Sequence, residues 1–244
     1  MMHLKGTFLG FLALLVTASA HALPQTGAEW LGHIDAVARV DDAHMVLDLT
    51  VTDSRGEQAG RAIEIWQKGD DKRIVRMIEP TRLKGVGLLV THGDALHLFL
   101  PQYPPARRVI GSKRADAFMG TDFAVDDLAR IGFADDYDAE IIGAEGGLTH
   151  LKLTPRVDTG SASVDLWVGE DGVIRRLDHL DKRGMVTRRL TMDDVRLEGE
   201  TLLAHRLEVV DLKRTRSTVA VLRSAVLEQG LSDELFTVNA LENP

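Results

Sequence analysis

The chain of 244 residues contains no cysteine. A disulfide scaffold is therefore excluded. The same absence predicts no N-terminal lipid anchor, which a bacterial lipoprotein builds on a cysteine at its cleavage site. Basic charge is not in excess either: 29 Lys and Arg against 37 Asp and Glu leave a net charge of −8. A general nucleic-acid binder needs a net basic footprint, so that class is excluded. No G-x-S-x-G elbow is present, and the serines beside glycines, Ser112 and Ser161, sit in turn-like contexts. The histidines show no H-x-x-x-H or H-E-x-x-H spacing. His92 and His97 fall on one predicted hairpin, while His44, His150, His179 and His205 are scattered. They read as polar residues on strand faces, and no metal or cofactor is expected. The acidic pairs Asp126-Asp127, Asp135-Asp136 and Asp193-Asp194 are sequence neighbours whose side chains point different ways. They read as caps and solvated faces, so the expectation is a protein that is not an enzyme.

Long apolar runs are also missing, with one exception. Phe8 to Val16 is apolar, but a membrane span takes about 20 residues. Lys5 precedes the run and Ala20-His21-Ala22 comes after it, which predicts a secretory signal over residues 1–22 with cleavage before Leu23. Cleavage would remove one lysine and no acid, making the mature chain slightly more acidic. No Pro/Ser-rich linker, internal repeat or low-complexity tract divides the remainder of the chain. Residues 23–244 are therefore expected to form a single domain. A hydrophobic content of 44% is ordinary for a globular protein, and the length suffices for a core without staples.

Trp30, Leu31, Ile34, Val37 and Ala38 recur at helical spacing, with Glu29, Asp35 and Arg39 on the other side. That predicts an amphipathic helix over 27–40. From His44 the period becomes two. Strands are predicted over 44–51, 61–68, 72–79, 86–91 and 95–100, the last two joined by a turn at 92–94. Further strands are predicted over 137–142, 148–154, 163–168, 173–180, 186–197, 202–212 and 218–227. Gly146-Gly147, Asp171-Gly172, Arg183-Gly184 and Gly199 mark turns between most of them. The steady spacing is that of an antiparallel meander of roughly eleven strands. Strands 86–91 and 95–100 are apolar on both faces. Either both faces are covered, or one lines a cavity.

The stretch 96–128 organises the rest. An apolar strand, a Pro-bounded turn at 101–105 and a basic strand at 107–110 lead to Phe118-Met119-Gly120-Thr121-Asp122-Phe123. A short helix is predicted next, over 124–131, capped by Thr121 or Asp122. Phe118, Met119 and Phe123 are either core residues that seat this helix or the lining of an apolar cavity, for which the adaptable Met is suited. Arg107, Arg108, Lys113 and Arg114 form one basic cluster. Lys182, Arg183, Arg188 and Arg189 form a second, and Lys213, Arg214 and Arg216 a third. They read either as solvated strand ends or as docking points for an acidic partner or a phosphate headgroup. Ser232 caps a final helical turn.

The order "LFLPQ" (98–102), "RRVI" (107–110), "AFMGTDF" (117–123) and "DDL" (126–128), with the closing "VAVLRSAVLEQGLSDELFTVNAL" (219–241), resembles the LolA-like outer-membrane lipoprotein-sorting family. The resemblance implies an open, strongly curved antiparallel β half-barrel with a few helices covering its concave face. It also implies an apolar cavity for acyl chains. Of that family's two types, a soluble carrier and an anchored acceptor, the lack of cysteine fits the carrier. The expected function is a monomeric periplasmic carrier that binds the acyl chains of a lipid or lipoprotein and passes them toward the outer membrane. Peripheral membrane contact and an inner-membrane transport complex of ABC or RND type are the implied partners. The alternative is a non-catalytic sensor or adaptor on the same fold. Candidate lining residues are Trp66, Met77, Leu89, Leu98, Phe99, Phe118, Met119 and Phe123, and the helices at 27–40 and 124–131 are candidate lids. The long C-terminal half, rich in Arg and Asp, departs from the well-studied carriers and leaves the cargo open among lipoprotein, sterol-like lipid and phospholipid.

Overall fold

The computed structural model describes residues 23–91, 95–156 and 160–243. The secretory signal predicted over 1–22 and the turn predicted at 92–94 lie outside the described residues. The chain enters through α1 (Gly27–Ala38). Thr26 caps it: its Oγ1 accepts the Glu29 N–H at 3.2 Å, and the Glu29 carboxylate accepts the Thr26 N–H at 3.0 Å, a reciprocal capping box. Trp30, Leu31 and Ile34 form the buried stripe that the helical spacing predicts.

Strands β1 (Val40–Thr52), β2 (Gln58–Gly69), β3 (Lys72–Glu79), β4 (Gly87–Thr91), β5 (Ala95–Phe99) and β6 (Arg107–Arg108) come next. After α2 (Val125–Ala129) come β7 (Tyr137–Glu145), β8 (Leu148–Pro155), β9 (Ser163–Val168), β10 (Ile174–Leu180), β11 (Val186–Glu198), β12 (Thr201–Asp211) and β13 (Arg216–Leu227). The chain closes with α3 (Val238–Glu242). All the strands belong to one 13-stranded sheet, β6-β5-β4-β3-β2-β1-β13-β12-β11-β10-β9-β8-β7, slightly more than the roughly eleven expected. It is two meanders joined where the first strand pairs with the last. The sheet is not closed: β6 and β7 are its edges, and residues 109–136 cross from one to the other.

The sheet is strongly curved. Ile65 on β2 and Leu177 on β10 are five strands apart, about 24 Å in a flat sheet, yet both line one cavity. Register shifts at Val46/Leu47 and His179/Leu180 are bulges that help the bend. α1 packs over the concave side near β7 and β12, and α2 near β3 and β4. At Gly27 the approach is so close that a Cβ would sit 2.0 Å from the Ala139 carbonyl oxygen on β7.

The C-terminal segment takes the other face. Phe236 and Leu241 pack on Ile74, Leu89 and Phe99, with Trp66 against the same cluster. That settles the two-faced apolar strands: Leu88, Val90 and Leu96 face the main core, and Leu89 and Phe99 face the C-terminal cover. Both faces are covered by protein.

The expected basic strand at 107–110 shortens to Arg107–Arg108, because a 3-10 turn begins at Gly111. The second helix shortens to five residues, Val125–Ala129, and neither expected residue caps it. Thr121 Oγ1 donates to the Phe118 carbonyl at 2.7 Å, and Asp122 Oδ2 accepts from Thr218 Oγ1 at 2.7 Å. Asp127 instead reaches back to accept the Ala124 N–H at 2.8 Å.

Buried Asp42 anchors the C-terminal cover. Its carboxylate accepts the N–H groups of Gln229, Gly230 and Leu231 at 2.7, 2.8 and 3.2 Å. Asp42→Ala should cost about 3 kcal/mol, since charge-assisted bonds vanish and buried donors stay unsatisfied. Urea unfolding checks this. A loss below about 1 kcal/mol would mean that the apolar contacts of Phe236 and Leu241 hold the segment unaided.

Candidate functional site

The concave face and its two helices enclose a cavity of about 310 Å³. The strands supply its wall by alternation: Met45 and Leu47 on β1, Ile63 and Ile65 on β2, and Leu222 on β13. Cross-strand register puts them side by side, with Leu47 opposite both Ile63 and Leu222 and Met45 opposite Ile65. α1 contributes Ile34 and Val37, and α2 contributes Leu128. A volume near 300 Å³ is at the low end for small-molecule sites, which are mostly apolar with a few polar groups.

The polar groups gather around α2: Gln67, Arg73, Asp127, Arg130 and His179. Arg73 on β3 donates to the Leu128 carbonyl at 3.2 Å and also to the Arg130 carbonyl and Gln67 Oε1. It thereby ties the C-terminal end of α2 to the sheet. Burial pushes its guanidinium down to about 10, still charged at neutral pH. Arg130 pairs with Asp126 and Asp136 and lies 4.8 Å from the Tyr137 ring centre. Burial alone would lower its pKa, but Asp126, Tyr137 and Asp136 together outweigh burial and hold it above the usual range. Burial of Asp126 is likewise outweighed by Arg130 and Arg114, so its carboxyl stays below the usual range.

His179 is the one arrangement with a catalytic look. Its Nδ1 lies 3.0 Å from Ser161 Oγ, and its Nε2 lies 3.7 Å from Asp127 Oδ1. Arg188 Nη2 is 3.2 Å from that same Nε2. A guanidinium can only donate, so Nε2 accepts and Nδ1 carries the proton. Nδ1 then donates to Ser161 and has no lone pair to take its proton. A nucleophilic serine needs the opposite arrangement. Among the described residues no group of three His, Asp or Glu side chains is placed to hold a metal ion.

Of the lining candidates read from the sequence, the structure brings Phe123 to the cavity wall. Met77 and Phe118 are fully buried in the main core, and Leu98 and Met119 pack against it. Trp66, Leu89 and Phe99 belong to the cluster under the C-terminal segment. Trp66 also stacks on His44 at 4.7 Å between ring centres. In the basic cluster, Arg107 and Arg108 are exposed. Lys113 pairs with Asp116 at 3.2 Å, and Arg114 is buried against Asp126 at 2.6 Å. Sequence reasoning finds the period-two pattern of β1, β2 and β13 but misses their residues as a site. Nothing local distinguishes a strand face toward a cavity from one toward a packed core.

Burial and the Arg188 charge push His179 down to about 4, although Asp127 and Asp126 oppose this and Arg130 adds to it. In the unfolded chain a histidine titrates near 6.5. The stability tied to neutral His179 is therefore complete above pH 6.5 and lost as pH falls from there toward 4. Between pH 7 and pH 5 the loss should be on the order of 2 kcal/mol. Urea unfolding at both pH values, in the wild type and in His179→Gln, measures it. The variant should lose most of the pH dependence; an unchanged dependence would assign it to another group.

A family model described as that of an uncharacterized protein matches residues 69–243. No curated protein sequence matches the chain. Among solved structures, a domain from Vibrio parahaemolyticus described as an outer membrane lipoprotein-sorting protein superposes with a TM-score of 0.79 at 19% identity, covering 89% of this chain and 98% of its own. A DUF1329 family protein from Desulfovibrio piger gives 0.81 at 22% identity, covering 88% and 97%. A LolA superfamily protein from Nitrosomonas europaea gives 0.73 at 20% identity, covering 88% and 98%. The chain belongs to the family of the matching model, and its fold is the LolA-like fold of lipoprotein-sorting proteins.

Proposed function

We propose that the protein is a non-catalytic periplasmic carrier that holds the acyl chains of a lipid or lipoprotein in its apolar cavity. The observation that carries this is the cavity itself, walled by aliphatic side chains of a curved sheet and roofed by two helices. Each CH₂ moved from water to such a wall contributes roughly 0.8 kcal/mol, so one long chain supplies useful affinity without any bond being made. In this reading residues 1–22 are a cleaved export signal and 23–244 form a single lipid-binding domain. Cargo comes from an inner-membrane complex of ABC or RND type and moves toward the outer membrane. Arg107 and Arg108, exposed at the sheet edge, are the docking residues for that complex or for headgroups. The roof is held to β3 through the Arg73 bonds to α2 carbonyls. Breaking them would free the helix to admit a chain larger than the cavity as it stands.

The test combines cargo and wall. Organic extracts of protein purified from its native compartment, analysed by mass spectrometry, should contain a co-purified acyl lipid. Phe123→Ala should weaken binding of a fluorescent fatty-acyl probe and lower stability by on the order of 1 kcal/mol, because a wall residue loses fewer contacts than a packed one. A stability loss of about 3–5 kcal/mol with unchanged probe binding would make Phe123 plain core and would sink the cavity assignment.

A further inference from the structure

We propose that Arg61, Arg82 and Arg216 form an anion site at the rim of the concave face, which takes the phosphate group of a phosphorylated lipid. Arg61 lies on the same side of β2 as Ile63 and Ile65, both of which line the cavity. It is two residues beyond Ile63, about 7 Å along the strand. Arg216 opens β13 on the side of Thr218 and of Ala220, another lining residue. The turn at Met119-Gly120 brings the two arginines together. Arg216 Nη2 donates to the Gly120 carbonyl at 2.8 Å, and a Cβ at Gly120 would lie 4.0 Å from Arg61 Nη2. Gly120 has φ +77, so a bare backbone separates the two guanidinium groups. Arg82 stands on the 3-10 turn Thr81–Leu83, directly after β3, whose last residue Glu79 pairs with Ala62, the neighbour of Arg61.

The charge balance around this cluster is unusual for an acidic protein. Several arginines elsewhere find carboxylates: Arg55 with Asp53, Arg206 with Glu208 and Arg223 with Asp48. At the rim the acid is Asp122, 3.3 Å from Arg216 Nε and itself almost fully buried. Among the described residues Arg61 and Arg82 have no ion-pair partner. Arg61 Nη1 donates to the neighbouring Gly60 carbonyl at 2.9 Å, and its Nε is buried without a partner. Burial first, then the charges of Arg82 and Arg216, lower the pKa of Arg61. Like charges held together with donors unspent are relieved by an anion. Guanidinium forks match the oxygens of phosphate in charge and geometry. The position beside the cavity makes a headgroup the favoured source, and that choice rests on the carrier reading; the anion site does not.

The experiment titrates the full mature chain calorimetrically with dihexanoyl phosphatidic acid, dihexanoylglycerol and inorganic phosphate. Phosphatidic acid should bind more tightly than the uncharged glyceride, and the preference should shrink as salt rises. Arg61→Gln with Arg82→Gln should cut phosphatidic acid binding about tenfold or more and leave the glyceride unchanged. Arg82→Gln alone, at an exposed side chain, guards against a folding defect and should give part of the loss. Saturable binding of inorganic phosphate that the double variant abolishes, with no binding of either lipid, would keep the site and sink the carrier reading. Equal affinity for the two lipids in the wild type, or an unchanged phosphatidic acid affinity in the double variant, would overturn the proposal, as would no binding of any phosphate probe.

Discussion

An open sheet with an apolar inner face has to be covered, and the length of the available cover decides the rest of this structure. Thirteen strands curl without closing, so their inner face is wide. The chain lays two helices across it. α1, with 12 residues, is about 18 Å long, and α2, with five, about 7 Å. Neither is long enough to fill the trough from end to end. Trp30, Leu31 and Ile34 seal part of it, Phe118 and Phe123 seal another part, and the unfilled remainder is the cavity. Its aliphatic wall is thus the ordinary inner face of β1, β2 and β13 where no helix reaches.

The cover is fastened by polar bonds as much as by packing. Arg73 holds the end of α2 through main-chain carbonyls. Asp35 on α1 accepts the Phe133 and Ala134 N–H groups, both at 2.8 Å, and so ties α1 to the segment that follows α2. Burial raises the pKa of Asp35 although those bonds oppose it. Each of these bonds has a charged partner, which makes it worth about 1.5–3 kcal/mol net. The roof thus hangs on a few strong, separate bonds, whereas the sheet beneath it is continuous in hydrogen bonding. The convex face combines both kinds of fastening, with the Asp42 bonds beside the packing. There Phe236 and Leu241 bury apolar surface directly on Ile74, Leu89 and Phe99.

Much of the scaffold is legible in the sequence because periodicity is local. The change from 3.6 to two after residue 40, and the Gly-marked turns, place α1 and most strands within a few residues. The open curved sheet comes from resemblance, since alternation does not distinguish a closed barrel from an open one. The site is less legible, and the reason is physical. Leu89 and Phe99 give the strongest local signal for a cavity, two apolar faces on one hairpin. That signal comes from the C-terminal segment, whose docking place no local pattern reveals. Thr121 and Asp122 look like helix caps because the sequence shows acceptors before a helix. Their real partners, Phe118 and Thr218, include one that is 96 residues distant in sequence. The rim arginines share this difficulty: Arg61 and Arg216 meet only because β2 and β13 both flank β1, and Arg82 comes from the turn after β3, which pairs with β2.

The cavity also differs in charge balance between its two polar borders. Around α2 most charges meet a partner: Arg188 meets Asp127 at 2.8 Å, Arg130 meets Asp126 and Asp136, His179 is held neutral between Arg188 and Ser161, and Arg73 spends its Nη donors on main-chain carbonyls and Gln67. Groups already bonded to one another would lose hydrogen bonds to admit an incoming charge. At the rim Arg61 and Arg82 are left with no carboxylate among the described residues, beside a backbone turn stripped of side chain at Gly120. In the carrier reading proposed above, an amphipathic ligand meeting these two borders would be oriented by them. Its apolar part is driven to the aliphatic wall, the α2 border refuses its charged part, and the rim receives it. In that reading the direction of loading follows from where the protein has paired its own charges and where it has not.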